Sequence, residues 1–83
     1  MLTIYTKSHC PDCTKTKNYL TANQIDFQEI DIETDTEARA FLVNAGHRAV
    51  PQIYQNHELF VEGGWAGLNK ITIDHIKHRL STS

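Results

Sequence analysis

An apolar strand, a helix that opens on proline and a second, alternating strand follow one another within the first 32 residues, and this succession constrains the fold more than any other feature. Leu2 to Thr6 is rich in β-formers and stops at the polar run Lys7-Ser8-His9. Pro11 then suits a first helical position, where its missing N–H would have been unpaired and its fixed φ is already helical. A helix is predicted from Pro11 to Ala22, with Cys13, Thr16 and Leu20 inward, Tyr19 alongside, and Lys15 and Lys17 in water. Asn23-Gln24 makes a turn, and from Ile25 to Ile32 the apolar residues lie mostly two apart, as in a half-buried strand. So short a strand–helix–strand unit implies a parallel pair joined by a right-handed crossover.

Thr34 and Glu37 stand at capping-box spacing ahead of a second helix, whose Ala38, Phe41, Leu42 and Ala45 fall at i, i+3, i+4 and i+7. Gly46 suits the left-handed residue that ends it. Pro51 opens a predicted hairpin of Gln52–Gln55 and Glu58–Val61 around the turn Asn56-His57, and Gly63-Gly64 breaks the chain. Trp65 to Leu80 reads as one helix or two short ones, with Thr72 an internal cap and Ile73, Ile76 and Leu80 inward. Ser81 to Ser83 reads as a frayed tail. The expectation is an α/β fold in the order βαβαββα, a four-stranded mixed sheet flanked by three helices. It places Cys10 between the first strand and the first helix.

A chain of 83 residues buries only about 60 to 65% of the surface its unfolded form exposes, which leaves room for one core and hence a single domain over residues 1–83. Eight basic against ten acidic side chains, with no Lys or Arg cluster, exclude nucleic acid and anionic membranes as expected partners. No apolar run approaches the roughly 20 residues of a membrane span, and Met1-Leu2-Thr3-Ile4-Tyr5 does not read as a signal segment. A cytoplasmic monomer is expected.

The two cysteines are too few for the disulfide framework of a small secreted domain. A bridge between Cys10 and Cys13 would close too short a loop to constrain the unfolded chain much, so their role is expected to be chemical. Only a thiolate attacks a disulfide, and a helix N-terminus offers it unpaired N–H groups and roughly half a positive charge. Cys10 is therefore the expected nucleophile, and Cys13, one turn on, the thiol that resolves the mixed disulfide. Lys7 and His9 add positive or hydrogen-bonding character. Asp12 acts the other way, costing the anion about 0.5 to 1 kcal/mol, equivalent to about 10 to 20 mV, and so tunes the pair. His75 and His78 would complete a Cys₂His₂ zinc set by count, but the ligand pairs are too far apart for a compact zinc module, and no metal is expected.

The stretches Tyr5-Thr6-Lys7-Ser8-His9-Cys10-Pro11-Asp12-Cys13 and Ala49-Val50-Pro51-Gln52-Ile53-Tyr54, with Gly63-Gly64 before the last helix, closely resemble the glutaredoxins, of the thioredoxin fold. The resemblance covers nearly the whole chain. It implies thiol–disulfide exchange with reduced glutathione as the reductant and co-substrate, and disulfide-bearing proteins as partners. It also implies a cis Pro51, with the backbone of Val50 beside Cys10 to pair with the cysteinyl part of glutathione, and Lys7 to meet the glycine carboxylate. Arg39 would assist by charge.

The departures are as specific. Many glutaredoxins carry Tyr or Phe where this chain has Asp12, and follow Gly-Gly with Cys and an acidic residue that holds the γ-glutamyl ammonium. Here the stretch is Gly63-Gly64-Trp65-Ala66-Gly67-Leu68. The N–H groups of Trp65 and Ala66 could still receive the γ-glutamyl carboxylate, while the ammonium lacks an evident partner. Trp65-Ala66-Gly67 is also similar to the Trp-Ser-Gly of the NrdH redoxins, which reduce ribonucleotide reductase and are recharged by thioredoxin reductase. Trp65 serves equally as a core-closing side chain. Some glutaredoxins hold an iron–sulfur cluster between two protomers, but Pro11 after Cys10 is the dithiol pattern, less associated with that role.

Overall fold

The computed structural model describes residues 1–81. Eight elements follow in order: β1 (Leu2–Thr6), α1 (Pro11–Ala22), β2 (Phe27–Asp31), α2 (Thr36–Asn44), β3 (Gln52–Gln55), β4 (Glu58–Val61), α3 (Gly64–Leu68) and α4 (Ile73–Ser81). The four strands form one sheet in the order β2-β1-β3-β4. β1 runs parallel to β2 and antiparallel to β3, and β3 pairs antiparallel with β4 across an irregularity at Ile53 and Tyr54. This is the mixed sheet read from the sequence.

Alternation along β1 sorts the two faces. Leu2 and Ile4 point into a core shared with Leu20 of α1, Ile53 and Phe60 of the hairpin, Leu68 of α3 and Ile76 of α4. Each such side chain contributes about 1.5 to 3 kcal/mol on full burial. On the other face Tyr5 meets Phe41 of α2 and Tyr54 of β3, with ring centroids 5.8 and 5.6 Å away. Phe41 and Val43 nonetheless keep 37% and 63% of their surface exposed, so α2 covers its face only in part.

Local chemistry fixes the element ends. Gly46, at φ 88°, closes α2 with two backbone bonds, Gly46 N–H to Val43 O and His47 N–H to Leu42 O, at 3.0 and 2.9 Å. Asp35, rather than Thr34, caps the start of α2, its carboxylate accepting the Ala38 N–H at 2.9 Å. Thr34 instead donates its hydroxyl to the Asp31 carbonyl, as part of the turn leaving β2. β2 is shorter than the predicted Ile25 to Ile32, because Ile25 leaves the strand direction to fill the core and bonds back to Leu20 O at 2.9 Å. Lys17 does not simply face water but bonds Glu29 of β2 at 2.9 Å.

The third predicted helix is two, as the second of the alternative readings had it: α3 ends at Leu68, and Thr72 caps α4 by accepting the His75 N–H at 3.1 Å. Of the predicted frayed tail, Ser81 belongs to α4, and residues 82–83 lie outside the described residues. Among the described residues, no helix is long and apolar enough to cross a membrane.

Candidate active site

The polar run after β1 turns through His9, at φ 56°, and delivers Cys10 to the N-cap of α1, with Pro11 in the first turn. The Cys10 sulfur accepts the backbone N–H of Cys13 at 3.1 Å, so it occupies the place of the usual capping oxygen. Cys10 and Cys13 are joined as a disulfide. Burial distinguishes the two: Cys13 is 2% exposed on the inward face of α1, whereas Cys10 is only partly buried. A reagent from solution meets Cys10 first.

The stretch before β3 completes the site. The Val50–Pro51 peptide bond is cis, as the resemblance implies, and the Val50 carbonyl oxygen lies 3.7 Å from the Cys10 sulfur. The start of α3 then abuts Pro51, since a Cβ on Gly64 would come within 2.5 Å of the Pro51 carbonyl oxygen. The stretch before β3 thus meets the head of α1 at the Cys10 sulfur and the start of α3 at Pro51. Trp65, in the first turn of α3, packs edge-on against Tyr19 of α1 at 5.6 Å between centroids and ties α3 to the helix that carries the cysteines. Ala66 is exposed beside it.

Lys7 lines the depression around the cysteines, together with His9, Thr14 and Lys17. It also lines a neighbouring groove of about 680 Å³, whose walls include Glu33, Arg39, His47, Arg48 and Val50. Trp65 and Ala66 line neither and join the site through Gly64 against Pro51. Asp12 is well exposed and lies 3.9 Å from the Lys15 ammonium, so part of its charge is offset at the surface.

Two features escaped the sequence. Glu33, in the turn after β2, accepts hydrogen bonds from both the backbone N–H and the hydroxyl of Ser8, and so tethers the loop that leads into Cys10. These bonds, first the hydroxyl and then the backbone N–H, hold the Glu33 carboxyl below its ordinary range. His47, predicted only as a loop residue, meets the Tyr54 hydroxyl at 2.7 Å, while Gln52 donates to the Ala49 carbonyl at 2.7 Å. Both fix the segment before Pro51. The spacing of Ser8 and Glu33 carries no local signal, because they meet only once β1 and β2 pair. Among the described residues, no three His, Cys, Asp or Glu side chains are grouped to hold a metal ion.

The family model described as Glutaredoxin matches residues 2–60. The chain belongs to the glutaredoxin family. This family of thiol–disulfide oxidoreductases accounts for the sheet order and for the Cys-x-x-Cys pair at the head of α1. As a member, the chain is 40% identical over 81 residues to a putative glutaredoxin of Mycobacterium tuberculosis, over 95% of this chain and 88% of that one. It is 33% identical over 60 residues to the glutaredoxin-like protein NrdH of Lactococcus lactis, over 72% of this chain and 83% of the other. Among solved structures, the NrdH-redoxin of Escherichia coli superposes with a TM-score of 0.65 at 29% identity, over 71% of this chain and 82% of that one. The family match ends at residue 60, ahead of the Gly63–Leu68 stretch in which this member departs from many glutaredoxins.

Proposed function

We propose that this protein is a dithiol glutaredoxin, a glutathione-dependent oxidoreductase that reduces protein disulfides and glutathione mixed disulfides. The observation that carries the reading is the partly exposed Cys10 sulfur, which accepts a helix N-terminal N–H at 3.1 Å and lies 3.7 Å from the Val50 carbonyl. In the reduced protein the same N–H and the helix dipole stabilise a Cys10 thiolate. That thiolate attacks one sulfur of the substrate disulfide, forms a mixed disulfide and expels the other sulfur as a thiolate, which takes up a proton. Cys13 then loses its proton and attacks the Cys10 sulfur, releasing the second substrate thiol and closing the Cys10–Cys13 disulfide. Two electrons pass to the substrate.

Glutathione reverses the state of the pair: its thiolate opens the disulfide at the more exposed Cys10, and a second glutathione removes the first as glutathione disulfide. Supporting this are Lys7 and Val50 on the walls of one groove, where they would meet the glycine carboxylate and the cysteinyl backbone, and Pro51 packed against the start of α3. The Trp65 and Ala66 N–H groups would receive the γ-glutamyl carboxylate. Asp12 tunes the pair weakly, its charge offset by Lys15. The missing ammonium partner after Gly64 costs about 0 to 1 kcal/mol, as an exposed ion pair does.

A second reading has its own support. Trp65-Ala66-Gly67 and the likeness to NrdH of Lactococcus lactis favour an NrdH-like redoxin, recharged by thioredoxin reductase and serving ribonucleotide reductase.

The roles of the two sulfurs are tested by trapping. Cys13→Ser, mixed in reduced form with glutathione disulfide, should accumulate one glutathionyl adduct on Cys10 by mass spectrometry, while Cys10→Ser should yield none that turns over. An adduct that turns over on Cys13 in Cys10→Ser would reverse the assignment.

A further inference from the structure

We propose that the groove beside Cys10 receives the chain of a disulfide-bearing protein substrate, and that Arg48 pairs there with an acidic residue close in sequence to the substrate's reactive cysteine. The inference rests on the reading of Cys10 as nucleophile and does not depend on which system recharges it.

The groove concentrates positive charge in a chain whose net charge is −2. Lys7, Arg39 and Arg48 line it and are exposed, and none of the three has an ion-pair partner among the described residues. Glu33 is the one carboxylate among the lining residues, and it is already engaged by the backbone and hydroxyl of Ser8. Glu33 keeps its negative charge and draws on Lys7, so three cations against one anion leave the groove net positive, with Arg39 and Arg48 to raise the encounter rate of opposite charge.

The wall that carries Arg48 is held at both ends. His47 is fixed by the Tyr54 hydroxyl and Ala49 by Gln52, each at 2.7 Å, and the wall ends at Val50, whose carbonyl lies 3.7 Å from the Cys10 sulfur. Arg48 therefore projects from an ordered segment that leads to the reacting atom. An extended chain rises about 3.3 Å per residue, so a substrate with its cysteine at Cys10 passes Arg48 within about three residues. There a guanidinium fits a carboxylate in a way an ammonium does not.

The test uses the full chain, reduced chemically and freed of reductant, so that neither glutathione nor thioredoxin reductase takes part. Single-turnover reduction is followed by acid quench and assay of released thiol with three disulfides: a peptide with Glu flanking its cysteines, the same peptide with Lys, and the small uncharged hydroxyethyl disulfide. In each case the dithiol of Cys10 and Cys13 becomes a disulfide and the substrate becomes two thiols. The Glu peptide should react about three- to tenfold faster than the Lys peptide at low salt, the two converging at high salt.

Arg48→Gln should slow the Glu peptide about two- to fivefold, as loss of an exposed ion pair does, and leave hydroxyethyl disulfide unchanged. Arg48→Glu should favour the Lys peptide. Equal rates for the two peptides, or an equal loss in Arg48→Gln on all three disulfides, would overturn the proposal. Failure to reduce any of them would overturn the reading of Cys10 itself, and this proposal with it.

Discussion

The carbonyl oxygen of Pro51 lies 2.5 Å from where a Cβ on Gly64 would stand, and Gly64 also adopts a φ of 58°. The first turn of α3 is therefore set directly on the residue that follows Val50. Through that contact the Gly63–Leu68 stretch, which departs from many glutaredoxins in sequence, is held to the segment that faces Cys10.

Gly64→Ala should accordingly lose about 2 to 4 kcal/mol of stability, combining a left-handed backbone with a Cβ pressed on a carbonyl. The shift is read from the guanidinium midpoint with its slope unchanged. An unaltered midpoint would mean that α3 moves freely from Pro51, and the proposed roles of Trp65 and Ala66 would go with it.

The sheet and the placing of the cysteines were legible because they rest on local patterns. The run of β-formers in Leu2–Thr6, proline at the head of α1 and Gly46 at the end of α2 each act within a turn or a strand. What escaped arises between elements. Asp35 won the cap of α2 because Thr34 was drawn into the turn at Asp31, and Lys17 turned from solvent to Glu29 once β2 lay beside α1. Ser8 with Glu33, and His47 with Tyr54, meet only in the folded chain. Trp65 in sequence suits either a substrate contact or a core-closing side chain, and its contact with Tyr19 shows it joining two helices.

Acid should weaken the fold through two carboxylates. Glu29, bonded by Lys17 and, against some desolvation, by Thr6, is held below its ordinary value of 4.5, and Glu33 is likewise lowered by Ser8. A carboxylate depressed in the folded state contributes stability that is present above its unfolded pKa and lost as pH falls through the folded one. Stability should therefore drop as pH goes below about 4.5. The double variant Glu29→Gln, Glu33→Gln should be less stable at neutral pH and show a shallower acid loss. Parallel pH curves for variant and parent would contradict this.

The β3–β4 turn offers a gain. Asn56 and His57 both take positive φ, 51° and 71°, as a two-residue hairpin turn of this hand requires. His57→Gly removes the Cβ penalty at the second position and should stabilise the fold by about 0.5 to 1 kcal/mol, seen as a rise in Tm. A fall in Tm would show that the His57 side chain holds the turn in another way.

The central claim is that glutathione recharges the Cys10–Cys13 pair. The direct measurement is NADPH consumption during reduction of a small disulfide, with either glutathione and glutathione reductase or thioredoxin reductase alone. Turnover with glutathione is the predicted result, and it would show that the acidic residue missing after Gly64 is dispensable. Turnover with thioredoxin reductase and none with glutathione would contradict the account, assigning the protein to the NrdH-like redoxins and withdrawing Lys7, Val50, Pro51, Trp65 and Ala66 as a glutathione site.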